Sequence, residues 1–122
     1  MAKVLGVGGI FFKSQNPKEL YEWYAKWLGM ELSDWGTVYL PKEMPANAQT
    51  VWSAFDSETD YFAPSSKEFM FNLIVDDLAA ALQQVQEGGG QLVGDIQNMD
   101  YGSFGWFIDP DGNKVELWEP SK

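Results

Sequence analysis

The chain has 122 residues and a formal net charge of −10, and it contains neither cysteine nor histidine. Without cysteine it can form no disulfide framework and no zinc–sulfur site. Without histidine it lacks the commonest general base and the commonest transition-metal ligand. All eight cationic residues are lysines, so bidentate guanidinium clamps are excluded too. The acidic balance disfavours nucleic acid and anionic membranes as partners, no apolar run is long enough to span a bilayer, and we expect a cytoplasmic protein.

The first half of the chain predicts a strand, a helix and two further strands. Residues 4–12 are an apolar, glycine-rich run, which indicates a strand. Asn16 before Pro17 is typical of a helix start, and apolar residues at three- to four-residue spacing predict an amphipathic helix over 18–28. The β-branched and aromatic segments 35–40 and 49–55 predict two more strands, joined by a proline-containing connection.

The second half repeats the same order of elements. A strand is predicted over 69–75, then a helix that starts at Asp76–Asp77 and ends at three glycines, then a strand over 91–96 and a terminal hairpin of 104–108 with 114–118. This repetition predicts an α+β fold of one domain, 1–122, made of a first βαβββ module over 1–60 and a second over 61–122. The alternative is an ordinary α+β sandwich without functional symmetry.

Several stretches also resemble a known family. Two are jointly specific: Trp23-Tyr24 followed by Leu28-Gly29, and the Asp-Pro-Asp-Gly-Asn turn from Asp109 that precedes the strand carrying Glu116. On these motifs the chain resembles the vicinal oxygen chelate superfamily, which includes glyoxalase I, the bleomycin-resistance proteins and the extradiol dioxygenases. The resemblance implies paired βαβββ modules that form a curved mixed sheet around a cleft, often completed or stabilised by dimerisation. We therefore expect a homodimer.

Metal-using members of that superfamily commonly place a ligand on the first and last strand of each half. Alignment of the predicted elements puts Gly9, Trp52, Met70 and Glu116 at these positions, and only Glu116 has the expected type of side chain. One carboxylate does not make a divalent-metal site, so we predict no metal and no cofactor, although an all-oxygen site for a hard cation stays conceivable. The turn from Asp109 lacks the spacing of a calcium-binding EF-hand loop and predicts a hairpin loop.

With the metal positions changed, the cleft would offer aromatic walls and a few polar groups, as small-molecule sites usually do. Glu116 is the candidate catalytic residue, because a carboxylate in an apolar strand needs a partner unless it faces solvent. Asn72 is either a satisfied core amide or a group that orients a ligand or Glu116. Tyr101 could close over the cleft, and the two-residue period of a strand puts Lys114 and Trp118 on the same face as Glu116. The candidate ligand-binding residues are Phe11, Trp52, Met70, Asn72, Tyr101 and Trp118.

These residues support two main hypotheses. The first is a metal-free protein of the bleomycin-resistance kind that binds a small aromatic or cationic molecule, which the acidic chain and its tryptophans favour. The alternative is a metal-independent lyase or isomerase in which Glu116 acts as a general base next to a carbonyl. A third possibility is a regulatory or partner-binding module that retains the fold.

Overall fold

A computed structural model describes the whole chain, residues 1–122, and confirms the α+β class. Two α-helices lie on one face of a four-stranded mixed sheet. No helix has both the length and the apolar character that crossing a membrane requires.

Helix α1 (Pro17–Leu28) begins and ends where its sequence predicts. The side chain of Asn16 accepts a hydrogen bond from the Glu19 amide at 3.2 Å, and Pro17 takes the first turn. Gly29 follows in a left-handed conformation with a φ of 66°. Leu20 and Tyr24, four residues apart, are buried, so this helix presents one apolar stripe to the core.

Helix α2 (Leu78–Glu87) has two acidic groups at its start. Asp77 accepts from the Ala80 amide at 3.0 Å, and Glu119 accepts from the Leu78 amide at 2.8 Å. Carboxylates at this end satisfy free N–H groups and match the positive end of the helix dipole. The predicted apolar stripe is buried, as Leu78, Ala81, Leu82 and Val85.

The sheet has the strand order β1-β4-β3-β2. Strand β1 (Phe71–Ile74) runs parallel to β4 (Lys114–Pro120), whereas β2 (Gln91–Met99) and β3 (Gly102–Ile108) complete it by antiparallel pairing. With α2 between β1 and β2 in the chain, these strands form one βαβββ unit. A Cβ at Gly105 would meet Leu82 Cδ1 at 2.7 Å, so this glycine allows α2 to lie close to β3.

The core lies between the helices and one face of the sheet. Both helices meet there, although α1 belongs to the first half: Trp23 Nε1 donates to the Gly88 carbonyl at 2.9 Å, and Gln84 donates to the Trp27 carbonyl at 2.8 Å. The buried apolar cluster consists of Leu20, Tyr24, Leu78, Ala81, Leu82, Val85, Phe107, Val115 and Leu117. The opposite face of the sheet is left free of helices.

The three strands predicted in the first half are not strands in this structure. Residues 4–12, 35–40 and 49–55 join no sheet, and a short 3-10 helix, Pro41–Glu43, lies between the last two segments. The patterns were those of strands, but a strand requires a neighbouring strand for its backbone hydrogen bonds, and these segments have no such neighbour beyond one isolated bridge between Gly36 and Ser33. Their apolar side chains are consequently exposed, up to 97% for Phe11. The pairing of two complete modules stays a prediction.

The turn between β3 and β4 is organised by one buried carboxylate. Asp109 is 4% exposed. Its Oδ1 accepts from the backbone amides of Asp111 and Asn113 at 2.9 Å each, and its Oδ2 accepts from Asn113 Nδ2 at 2.9 Å and from the Tyr24 hydroxyl at 2.8 Å. Burial and the adjacent Asp109 raise the pKa of Tyr24 well above its usual value, so this hydroxyl remains a donor. The predicted hairpin loop is confirmed, and it is tied to α1.

Replacement of Asp109 by Ala should lower the free energy of unfolding by about 3 kcal/mol, because it leaves buried donors without an acceptor. Urea denaturation followed by circular dichroism would measure the change. Asp100→Ala, in the exposed turn before β3, is the matched control and should change stability little. Equal effects of the two substitutions would contradict the role given to Asp109.

Candidate functional site

The face of the sheet away from the helices carries Glu116 at its centre. Side chains alternate along β4, so Val115 and Leu117 enter the core while Lys114, Glu116 and Trp118 lie on the open face. This is the face on which the sequence alternation placed these three residues.

The Glu116 carboxylate accepts three hydrogen bonds from uncharged side chains. Asn72 Nδ2 donates to Oε1 at 2.6 Å, while the Tyr61 hydroxyl and Trp106 Nε1 donate to Oε2 at 2.5 and 2.8 Å. No lysine is among these donors, so the carboxylate is held in place without a paired cation. The site therefore presents a fixed acidic group.

Two of the three donors are positioned by the sheet itself. In the strand register, Asn72 of β1 lies opposite Glu116 on one side and Trp106 of β3 lies opposite it on the other. Side chains directly opposite across strands lie on the same face, close enough for hydrogen bonding. The structure thus gives Asn72 the Glu116 contact that was one of its two expected roles.

The third donor, Tyr61, comes from the segment 56–67 that joins the two halves. Lys114 Nζ donates to the Tyr61 carbonyl at 2.5 Å and lies 5.0 Å from the centre of its ring. Farther along, Ser65 Oγ donates to the Gly112 carbonyl at 2.7 Å. These contacts hold the joining segment against the start of β4, so Tyr61 covers one side of Glu116.

Burial is the main cause of the pKa shifts of Lys114 and Tyr61. The Lys114 side chain is 7% exposed, and desolvation lowers its pKa against the opposing effect of Glu116. Burial and the hydrogen bond to Glu116 raise the pKa of Tyr61 to about 12. Tyr61 is thus protonated at neutral pH and remains the donor in its bond to Glu116.

Aromatic rings line the open face around the carboxylate. Trp106 and Trp118 are nearly buried, at 8% and 6% exposure. Trp118 stacks on Phe104 with ring centroids 6.0 Å apart, and Tyr61 meets Trp106 edge-on at 6.3 Å. Tyr101 packs edge-on against Phe104 at 5.7 Å and is otherwise exposed. The arrangement is an acidic group within an aromatic surface.

The structure divides the predicted site residues into three groups. Asn72, Tyr101 and Trp118 lie with Glu116 on the open face. Phe11 and Met70 lie elsewhere, in a depression of about 440 Å³. Trp52 was expected on a last strand equivalent to that of Glu116, but its segment forms no strand, and its side chain is 83% exposed.

Sequence reasoning missed two of the partners of Glu116. Trp106 could have been found, because counting back from the loop 109–113 pairs 108 with 114 and therefore 106 with 116. Tyr61 could not, since it approaches from a joining segment 55 positions away with no periodicity to align it.

The residues at the superfamily's metal positions do not fit a divalent ion. No group of three or more His, Cys, Asp or Glu side chains is placed to hold one. The surroundings of Glu116 also disfavour a divalent ion. The N–H and O–H groups of Asn72, Trp106 and Tyr61 point their positive ends at the carboxylate. A divalent metal ion at that position would meet one carboxylate and three hydrogen-bond donors, and not the set of oxygen ligands that it requires.

A βαβββ sheet with helices on one face and a carboxylate at the centre of the other is a glyoxalase-like arrangement. Residues 9–118 match the family model of the glyoxalase-like domain, and the chain belongs to this family. No curated protein sequence matches the chain significantly.

Solved structures agree on the fold. The antibiotic-binding protein TnmS3 from a Streptomyces species is 19% identical, with 88% of this chain and 89% of that chain covered and a TM-score of 0.52. A protein of unknown function from Agrobacterium tumefaciens is 20% identical, with 97% and 100% covered and a TM-score of 0.56. A mutant glyoxalase I from Zea mays is 16% identical, with 89% and 43% covered and a TM-score of 0.54.

Two further solved structures match over shorter stretches. A Sphaerobacter thermophilus member of the glyoxalase/bleomycin resistance protein/dioxygenase superfamily is 32% identical, with 40% of each chain covered and a TM-score of 0.37. For a hypothetical protein from S. aureus, the match spans 50% of that chain.

Replacement of Tyr61 by Phe should make stability less sensitive to alkaline pH. A tyrosine whose folded pKa is raised contributes stability that is fully present below its unfolded pKa, near 10, and is lost as pH rises through about 12. The stability advantage of the native chain over Tyr61→Phe should therefore shrink between about pH 10 and 12. Urea denaturation across this range, with Tyr21→Phe as the control for loss of one phenol, measures it. An advantage that stays constant with pH would be the contrary result.

Proposed function

We propose that this protein binds a small aromatic cation on the open face of the sheet, with Glu116 as the anionic contact. The observation that carries the proposal is the Glu116 carboxylate, held by three neutral donors within an aromatic surface. A ligand with a positively charged nitrogen next to a ring would match both features.

The hydrogen bonds leave room for one more donor. A carboxylate offers about four lone-pair sites on its two oxygens. Tyr61 and Trp106 use two on Oε2, whereas Asn72 uses one on Oε1. One acceptor site on Oε1 is left for the N–H of a ligand, and the charge of Glu116 is available to strengthen that bond.

The aromatic surface and the negative net charge of the chain both favour a cationic ligand. Tyr101, which is 61% exposed, can place its ring against an organic cation, which is attracted by the π-electrons of the ring. The net charge of −10 attracts cations over a longer range. A neutral or anionic ligand would gain neither contribution.

The family supports a binding role without specifying the ligand. The chain is a glyoxalase/bleomycin-resistance-like protein. TnmS3 is described as an antibiotic-binding protein, and at 19% identity its likeness shows the fold alone. Because a shared fold does not fix the ligand, the proposal of a cationic ligand rests on the Glu116 site itself.

The test is titration of tryptophan fluorescence with naphthylmethylammonium and with its neutral analogue naphthylmethanol. The cation should bind more tightly, and Glu116→Gln should weaken it by about ten- to a hundred-fold, since a hydrogen bond to a charged group contributes about 1.5–3 kcal/mol. Glu22→Gln, on the exposed side of α1, removes the same charge and should leave affinity nearly unchanged.

Either of two results would contradict the proposal: equal binding of both compounds, or equal losses in the two variants.

The Glu116→Gln variant also tests the alternative function, that of an enzyme. If a carbonyl compound is turned over by the native chain and Glu116→Gln binds it without turnover, Glu116 is a general base and the protein is a lyase or isomerase.

We further infer that the protein works as a homodimer. Fourteen of the eighteen exposed large apolar side chains lie in residues 1–60, where the predicted strands lack partners. Exposed apolar surface on this scale is typical of interfaces, and symmetric dimers of identical chains are the commonest assembly. A second copy is therefore the partner we propose for segments 35–40 and 49–55 of the first half.

Sedimentation velocity at several concentrations would test the dimer. Trp52→Lys should shift the population toward monomer, because it puts a charge on an exposed apolar segment. Val4→Lys, which lies outside segments 35–40 and 49–55, is the control for an added charge at an exposed apolar position and should leave the population unchanged. A native chain that sediments as a monomer at every concentration would refute the inference.

A further inference from the structure

We propose that the protein has a second ligand site, for an aromatic carboxylate, in the depression between residues 10–13 and residues 67–71. This depression is open to solvent and has a volume of about 440 Å³. It shares no residue with the hydrogen-bond partners of Glu116, and the chemistry of its walls is different.

Three phenylalanine rings pack together at this site. The Phe12 ring meets Phe71 edge-on, with centroids 4.7 Å apart, and lies 6.4 Å from Phe69. Phe69 and Phe71 are 5.1 Å apart. Mutual packing of this kind fixes the rings and gives a flat ligand an apolar surface of defined shape.

The rest of the wall is apolar and largely exposed. Ile10 and Phe11 are 64% and 97% exposed, and Met70 is half-buried. An aromatic ligand in the depression would remove part of this surface from water, which is the main source of affinity for such a compound. Phe11 and Met70 are the two predicted ligand-binding residues that the structure separates from Glu116.

The charge at this site is opposite to that at Glu116. Six of the eight lining residues are hydrophobic, and the other two are Lys13 and Lys67, with no Asp or Glu among them. The chain has eight lysines against eighteen acids, so two lysines beside an apolar depression are a local reversal of its overall charge. An anionic group attached to a ring is the ligand that complements both the lysines and the phenylalanines.

Lys67 is held at this position through its backbone. Its amide donates to Ser65 Oγ at 3.1 Å, and Ser65 Oγ in turn donates to the Gly112 carbonyl. The end of the joining segment is thereby attached to the hairpin loop, so Lys67 starts from a fixed backbone position. Its backbone therefore loses little freedom when the side chain meets an anion.

The two sites lie on different sides of β1. Phe71 packs against the core cluster beneath the sheet, whereas its neighbour Asn72 reaches Glu116 on the open face. Successive side chains of a strand point to opposite faces, so a ligand at Phe71 does not occupy the position of one at Glu116. The second site therefore uses different side chains from the proposed cation site, with Met70, two residues before Asn72, among its lining residues.

Isothermal titration with naphthalenecarboxylate tests the proposal, with naphthylmethanol as the neutral comparison. We expect saturable one-to-one binding that Lys13→Gln/Lys67→Gln weakens by about three- to ten-fold, since each exposed ion pair contributes about 0.2–1 kcal/mol. The matched control is Lys18→Gln/Lys26→Gln, which removes the same charge from exposed positions of α1 and should leave affinity unchanged. Added salt should reduce affinity for the carboxylate more than for the alcohol.

Two further measurements locate the binding. Ile10→Ser, at an exposed position where folding is not at stake, should weaken both compounds, and backbone amide shifts in NMR spectra should change at 10–13 and 67–71. Glu116→Gln should leave carboxylate binding intact, which separates this site from the cation site. Absence of saturable binding, equal losses in the two lysine pairs, or shifts confined to the open face would overturn the proposal.

Discussion

The buried carboxylate of Asp109 is the interaction on which the arrangement of the open face depends. It accepts hydrogen bonds from two backbone amides of its own loop and so fixes the turn between β3 and β4. The turn sets the register, and the register places Trp106 opposite Glu116. A shift of the β3–β4 register by one residue would turn Glu116 toward the core face, which is lined by apolar side chains. The hydroxyl of Tyr24 joins the same carboxylate, which ties α1 to the hairpin that carries the site.

The strand register also determines which side chains contact Glu116. Its neighbours in the sheet are an amide and an indole, both neutral donors, and the third donor is a phenol whose pKa is raised to about 12. The hydrogen bonds from these neutral donors occupy acceptor sites of the carboxylate but do not neutralise its charge. A carboxylate paired with lysine would offer a ligand a dipole, whereas this one offers a negative charge. Lys114 lies on the same face, but its ammonium donates to the Tyr61 carbonyl and leaves Glu116 to its neutral partners.

The sequence predicted those parts of the site that depend on local pattern. Asn16 and Asp77 marked the helix starts, the turn from Asp109 marked the hairpin, and alternation placed Lys114, Glu116 and Trp118 on one face. Patterns of β-branched and aromatic residues failed in the first half, because local preference makes a segment suited to a strand without supplying the neighbour that a strand requires. Tyr61 lay beyond prediction for a related reason, since its contact with Glu116 depends on how the joining segment folds back.

That joining segment does more than connect the halves of the chain. Tyr61 reaches Glu116 on the open face, and Lys67, six residues later, lines the depression beside Phe69. Between them Ser65 bonds both to the hairpin loop and to the Lys67 amide. This segment, attached to the hairpin loop through Ser65, thus places the Tyr61 hydroxyl against Glu116 and Lys67 beside the apolar depression. In a chain with eighteen acids and eight lysines, the local charge at a surface is set by the position of individual side chains and can differ from the overall charge.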